Sequence, residues 1–263
     1  MKIPFFQVDA FSRKVFGGNP AAVCLLSSWL ADETLQAIAA ENNLSETAFL
    51  VPRANSNNSY ELRWFTPLVE VDLCGHATLA SAFVVFSFLA SDLSSVYFST
   101  KSGGLTVIKK GELLSMDFPA SEPEPVKSIS YLPQALGVEP QEILKSRDLL
   151  VVFPDEATIR YLKPDFEELR KVKDVLGIIV TAKGDDVDFV SRFFAPNVGV
   201  PEDPVTGSAH CTLIPYWAKK LAKKRLHAWQ LSKRGGELFG EYLGERVKIS
   251  GNAVLYARGE LYL

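Results

Sequence analysis

The chain has 263 residues, 47% of them hydrophobic and 22% charged, with a net charge of −3 at neutral pH. That composition is ordinarily globular and long enough for one large domain or two of about 130 residues. It excludes a disordered chain, and its charge balance gives no electrostatic footprint for nucleic acid.

Met1-Lys2-Ile3-Pro4 leads directly into a strand-like run, Phe5–Ala10, without the charged and apolar regions of a secretory signal. "GGNPAAVCLL" then supplies a turn and a second strand, and Ala31–Asn42 carries Leu35, Ile38 and Ala39 at helical spacing. Thr47–Val51 and Tyr60–Phe65 read as strands. After the turn "CGHA" a helix is expected from about Ala77 to Ala90. Thr78–Ala90 is the longest apolar stretch, too short to span a bilayer and expected as a helix buried on all sides. Tyr97–Ser99, Leu105–Lys109 and Leu113–Phe118 follow as antiparallel strands joined by "SGG" and "KGE". Ser121–Lys127, "SEPEPVK", is a Pro-rich hinge. Beyond it, Val175–Thr181, Phe189–Phe194, the turn "TGSA" and a helix from about Ala209 to Lys220 repeat the earlier scheme. The basic run Lys219, Lys220, Lys223, Lys224 and Arg225 falls where that helix ends, so its cations complement the helix dipole and stay solvated.

The repetition extends to the residues themselves. "RWFTPLVEV" at 63–71 matches "RFFAPNVGV" at 192–200, an offset of 129. "CGHA" at 74–77 meets "TGSA" at 206–209, and "KSGGL" at 101–105 meets "KRGGE" at 233–237, both at an offset of 132. The three extra residues of the second half are Pro201-Glu202-Asp203. Three landmarks in order indicate an internal duplication. The fold class expected is α+β, a curved sheet around one apolar helix, twice, with halves at 1–121 and 128–253.

Each of the paired turns ends a strand, places a glycine and begins a helix. Backbone N–H groups there lack intrahelical partners and suit a carboxylate or phosphate, and Gly75 and Gly207 allow close approach. Cys74 and His76 admit other readings. A metal site needs three or four convergent ligands, and Cys-x-His is too tight for the usual zinc spacing. A thiol–imidazole pair needs contact, and residues two apart at a helix start are expected to diverge. Cys74 therefore reads as a small buried residue, and the positive helix end is expected to lower the His76 pKa. Glu46, between a polar turn and the apolar Leu44, Ala48 and Phe49, is expected to have its pKa raised and to serve acid/base chemistry. Asp203 is a second carboxylate without a counterpart in the first half. Cys24, Cys74 and Cys211 form no CxxC and no even framework, which favours reduced thiols in a cytoplasm.

Together, "FQVDAF…GNPAAV", "NLSETAFLV", "LCGHATLA" and "EDPVTGSAH" resemble the phenazine-biosynthesis PhzF-like proteins, relatives of diaminopimelate epimerase, over nearly the whole chain. The resemblance implies the diaminopimelate epimerase-like fold: two pseudo-symmetric halves, each a mixed barrel-like sheet around a central helix, with the active site between them. It also implies that the C-terminal strand, about 254–263, joins the first half. It assigns Glu46 as a proton shuttle assisted by His76 and Asp203, with Asn19, Ser45, Gly75, Gly207 and Ser208 lining the substrate pocket. The epimerase branch uses two facing cysteines; Cys74 occupies the first position, but Thr206 occupies the second. The activity implied is a cofactor-independent isomerase acting on a small anionic carboxylate, without metal, nucleic acid or membrane, in a cytoplasmic homodimer. An epimerase variant and a non-enzymatic binding module are the alternatives.

Overall fold

A computed structural model describes every residue except 55, 57, 127, 128 and 130. Two compact units emerge, Met1–Asp117 with Ser250–Leu263, and Phe118–Ile249. The end of the expected hinge, Lys127, and the expected start of the second half at 128 lie outside the described residues.

In the first unit the strands are β1 (Lys2–Ala10), β2 (Asn19–Leu25), β3 (Glu46–Pro52), β4 (Ser59–Phe65), β5 (Glu70–Val71), β6 (Ser95–Thr100), β7 (Gly103–Lys110) and β8 (Leu113–Pro119). β1 pairs antiparallel with β2, β2 parallel with β3, β3 antiparallel with β4, and β4 parallel with β6. Two antiparallel steps, β6–β7 and β7–β8, follow. The last strand, Ala253–Tyr262, lies antiparallel along β1, with Lys2 opposite Tyr262 and Ala10 opposite Ala253.

Helix α1 (Asp32–Asn42) packs Leu35, Ile38 and Ala39 against Phe49, Val51 and Phe65. Alternation along β3 therefore turns Ala48 and Leu50 to the opposite face, where α2 (Gly75–Val84) crosses β1, β2 and β3. Both faces are covered, which is why β2 and β3 read as continuous apolar runs instead of alternating ones. Beyond Val84 the structure departs from the expected buried helix. Val85–Leu89 winds as a wider π turn, closed by the Ala90 N–H on the Val85 carbonyl at 2.8 Å. Its end reaches the surface, with Phe88 38% and Leu89 42% exposed. The widened turn brings Phe88 onto Phe6, ring centroids 5.1 Å apart, and under the Arg258 guanidinium.

The second unit repeats the pairing pattern. Its strands are β9 (Glu124–Pro125), β10 (Glu142–Lys145), β11 (Leu149–Val152), β12 (Ile178–Lys183), β13 (Phe189–Ala195), β14 (Val200–Asp203), β15 (Arg225–Gln230), β16 (Gly236–Tyr242) and β17 (Arg246–Gly251). β11 runs parallel to β12, β12 antiparallel to β13, β13 parallel to β15, and β15 antiparallel to β16. Three short helices, α3 (Leu132–Leu136), α4 (Glu156–Tyr161) and α5 (Phe166–Leu169), cover one face by packing Leu136, Ile159 and Leu169 into a core with Phe194 of β13.

The long helix α6 (Gly207–Leu221) packs against the same sheet. Trp217 stacks on Phe189 at 5.8 Å and donates from Nε1 to Thr181 Oγ1 at 2.9 Å. Pro215, inside α6, has no N–H for the Cys211 carbonyl four residues earlier. That carbonyl instead accepts from the Ser121 N–H at 3.0 Å, so the Pro-rich segment is fastened at its start. The architecture is thus the mixed α and β fold expected, a large sheet with few helices, written twice. No helix among the described residues is long and apolar enough to cross a membrane.

The approach of α6 to β16 gives a stability test. A Cβ at Gly240 would lie 2.6 Å from Ile214 Cγ1. Gly240→Ala is expected to destabilise by about 1–3 kcal/mol through overpacking. Adding Ile214→Ala should bring the loss below the sum of the single variants. Urea unfolding of the four proteins measures the coupling, and strict additivity would show that the contact is slack.

Candidate active site

The residues singled out in the first unit are placed by two backbone devices. Between β1 and β2 the chain reverses through a turn in which the Asp9 carboxylate accepts from the Phe16 N–H at 2.8 Å. Gly18 takes φ 63°, and a Cβ there would fall 2.1 Å from the Ala10 carbonyl oxygen, so only glycine closes the turn. Asn19 follows, opposite Ala10 and wholly buried. Helix α1 ends on Asn43 in the left-handed conformation, φ 49°, its N–H on the Ala39 carbonyl at 3.2 Å. Three residues later β3 begins with Glu46 beside Ala21 of the parallel β2. Ser45 Oγ donates to Asn19 Oδ1 at 3.0 Å, joining the two strand starts.

Helix α2 brings the third part. Gly75 is its first residue and Cys74 its extended N-cap, with φ −143° and ψ 107°. No side chain caps this start and its first turn holds no acid. His76, 5% exposed, points into the same region. Its Nε2 lies 3.0 Å from Glu46 Oε2, and its Nδ1 lies 3.3 Å from Asn19 Nδ2 and 3.5 Å from Cys74 Sγ. The expected divergence of Cys74 and His76 is therefore corrected: the extended N-cap conformation folds the thiol back over the first turn and onto the imidazole. Glu46 Oε2 and His76 Nε2 are close but poorly aligned, and neither has a hydrogen-bond partner among the described residues. Two buried polar atoms face each other with their bonding capacity unspent.

Electrostatics distinguish His76 from the other buried histidine. His210 Nδ1 donates to the Thr206 carbonyl at 2.8 Å, and burial drives its pKa down to about 4. At His76 burial acts in the same direction, but the Cys74 sulfur and the Glu46 carboxylate outweigh it, and the pKa stands well above the ordinary value. The lowering expected from the helix end is thus reversed; the carboxylate in contact is the cause we assign, because burial raises the Cys74 thiol and keeps it neutral.

The second unit carries Asp203, Gly207 and Ser208 at the equivalent turn. Asp203 Oδ2 accepts from Thr206 Oγ1 at 2.5 Å. Gln230, which sequence reasoning missed, clamps this turn: its Oε1 accepts from the Thr206 N–H at 2.8 Å, and its Nε2 donates to the Asp203 carbonyl at 2.9 Å. Gln230 has no local motif, since it arrives on β15 by parallel pairing with Ser191 of β13. Ser208 Oγ accepts from Arg147 at 2.8 Å, and the buried Asp148 holds the same guanidinium at 3.0 Å. The start of α6, like that of α2, has no side-chain cap and no acid in its first turn.

Register shows what the duplication has changed. Thr47 lies opposite Phe65 and Ile178 opposite Phe194, and the two phenylalanines are equivalent at the offset of 129. Glu46 therefore corresponds to Gly177, and at the offset of 132 His76 corresponds to Ser208. A side chain at Gly177 would meet the Phe193 ring at 2.2 Å. The second unit repeats the scaffold without the carboxylate or the imidazole.

The His76 shift predicts a pH dependence. A group whose pKa is raised on folding contributes stability that is complete below its unfolded value, about 6.5, and lost as pH rises through the folded value. Stability is expected to decline above about pH 6.5, and Glu46→Gln should flatten that decline. Imidazole NMR should show His76 titrating above the ordinary histidine range in the native chain, with its pKa lowered in Glu46→Gln. An unchanged titration would dissociate the carboxylate from the shift.

Comparison with known proteins identifies the family. The profile of the phenazine biosynthesis-like proteins matches residues 8–259. An uncharacterized isomerase of Pseudomonas aeruginosa is 55% identical over 263 residues, the full length of both chains. The crystal structure of a phenazine biosynthesis protein of the PhzF family from Enterococcus faecalis matches with a TM-score of 0.97 at 49% identity, covering 100% of both chains. A hydroxyproline epimerase from Agrobacterium vitis shares the fold at 8% identity, with a TM-score of 0.66 over 99% of this chain and 92% of that one. The chain belongs to the phenazine biosynthesis-like, or PhzF, family.

Proposed function

We propose that the protein is a cofactor-independent isomerase that moves a proton between atoms of a small carboxylate-bearing substrate. The observation that carries this reading is the contact of Glu46 Oε2 with His76 Nε2 at 3.0 Å, two buried atoms without aligned hydrogen-bond partners. A proton relocated within one molecule must be accepted and later returned, and a carboxyl group partly withdrawn from water can do both. Glu46 is the proton carrier on this reading. His76, charged by its proximity to Glu46, stabilises negative charge as it develops on the substrate. On the same reading Asp203 orients the substrate, and Asn19, Ser45, Gly75, Gly207 and Ser208 are the residues assigned to bind it. The uncapped starts of α2 and α6 suit its carboxylate.

An epimerase is the second reading. The same fold occurs in a hydroxyproline epimerase described with bound trans-4-hydroxy-L-proline, itself an amino-acid carboxylate, and in a methylitaconate isomerase. Against a two-thiol relay stands Thr206, whose hydroxyl is engaged with Asp203 at the position of a second cysteine.

The test is solvent exchange. A panel of small amino, hydroxy and unsaturated carboxylates in D₂O is screened for deuterium at carbon by mass spectrometry. For an exchanging compound, Glu46→Gln should lower the rate by about 10²–10⁴-fold, the usual contribution of a general acid/base group, while binding persists. Cys74→Ala should retain much of the exchange. Near-native exchange in Glu46→Gln would remove Glu46 from the role and make Asp203 the next base to test.

A further inference from the structure

We propose that Cys74, His76 and Glu46 together bind a divalent metal ion of the zinc class, which displaces the Cys74 thiol proton and the His76 imidazolium proton. The sequence offers only Cys-x-His, two donors at an unusual spacing. Folding adds a third: a Glu46 oxygen, a His76 ring nitrogen and the Cys74 sulfur all lie within 4.8 Å of one another.

The spacing fits the chemistry. Tetrahedral zinc, with bonds of about 2.3 Å to sulfur and 2.0–2.1 Å to nitrogen, holds those two atoms roughly 3.6 Å apart. Cys74 Sγ and His76 Nδ1 are 3.5 Å apart. The pair is therefore already at ligand separation, and the Glu46 carboxylate, now 3.0 Å from Nε2, completes the set by rotating toward the Nδ1 edge of the ring. Glu46 Oε2 and His76 Nε2 are buried without aligned partners, so the region holds unspent polar capacity independent of the thiol contact. His76 Nδ1 would exchange its contact with the Asn19 amide for the metal, while Asn19 Oδ1 keeps the Ser45 hydroxyl.

Charge and class follow. A thiolate and a carboxylate against a 2+ ion leave a neutral centre, which a desolvated site accepts more readily than a lone thiolate. Binding forms bonds to sulfur, nitrogen and oxygen, and the thiol and imidazolium protons leave to solvent; nothing is oxidised or reduced. The soft sulfur and the imidazole select zinc or cobalt over magnesium or calcium. Three protein donors leave a fourth position open, the pattern of an exchangeable site. The ion would immobilise Glu46 and His76, so on the isomerase reading it acts as an inhibitor. The site itself does not depend on that reading.

Cobalt(II) is the probe, added to the full chain under reducing, oxygen-free conditions without any substrate. One equivalent should produce thiolate-to-cobalt charge-transfer absorption in the near ultraviolet, and zinc should abolish it. Cys74→Ser should lose this absorption, whereas Cys211→Ser should retain it. His76→Gln should weaken binding by more than the 10–100-fold that loss of an outer-sphere partner typically brings, with circular dichroism confirming the fold. No charge-transfer band in the native protein, or a band that survives in Cys74→Ser, would overturn the proposal. Either result leaves the deuterium-exchange test of Glu46 untouched.

Discussion

A carboxylate held 3.0 Å from an imidazole, with little water to screen them, is the constraint on which the rest depends. Alone, burial would discharge the ring, as it does at His210. The carboxylate reverses that outcome, and the reversal survives only while Glu46 and His76 stay in register. Three features supply the rigidity: the glycine turn before Asn19, the left-handed end of α1 before β3, and the glycine that opens α2. None of them is catalytic by itself. Each sets where a strand or helix begins, and so where its first side chain points.

Duplication explains how such a site can exist on a scaffold that is otherwise repetitive. Both units bury a helix against a sheet of the same pairing pattern, and both open that helix with a glycine. In one unit the strand beside the helix begins with Glu46. In the other the equivalent place is Gly177, where the Phe193 ring leaves no room for a side chain. The scaffold is shared, and the paired carboxylate and imidazole occur in one copy.

The sequence carried the elements well because their signals are local. Apolar spacing marked α1, and paired glycine motifs marked the starts of α2 and α6, although both helices begin two residues earlier than expected. Glu46 and His76 were legible from their motifs. Their contact was not, because it arises from the packing of α2 across the parallel pair β2 and β3, which no stretch of sequence records. Gln230 and Arg147 were invisible for the same reason: each reaches its turn from a distant strand or loop. The Cys74–His76 contact was missed for a different one. Spacing alone suggested divergence, whereas the dihedrals of a single N-cap residue decided the direction of the thiol.

The last strand has a consequence for the order of folding. Ser250–Leu263 belongs to the first unit, whereas the second unit is one uninterrupted stretch, Phe118–Ile249. During synthesis from the N-terminus, every residue of the second unit has been made before the strand that completes β1's outer edge exists. The unit that holds Glu46 and His76 thus waits, with one edge of its sheet unpaired, for the ribosome to finish its neighbour. An open edge of that kind is a template for pairing with other chains. The nascent protein is therefore most exposed to misassembly in the interval before Ala253–Tyr262 is available to pair with β1.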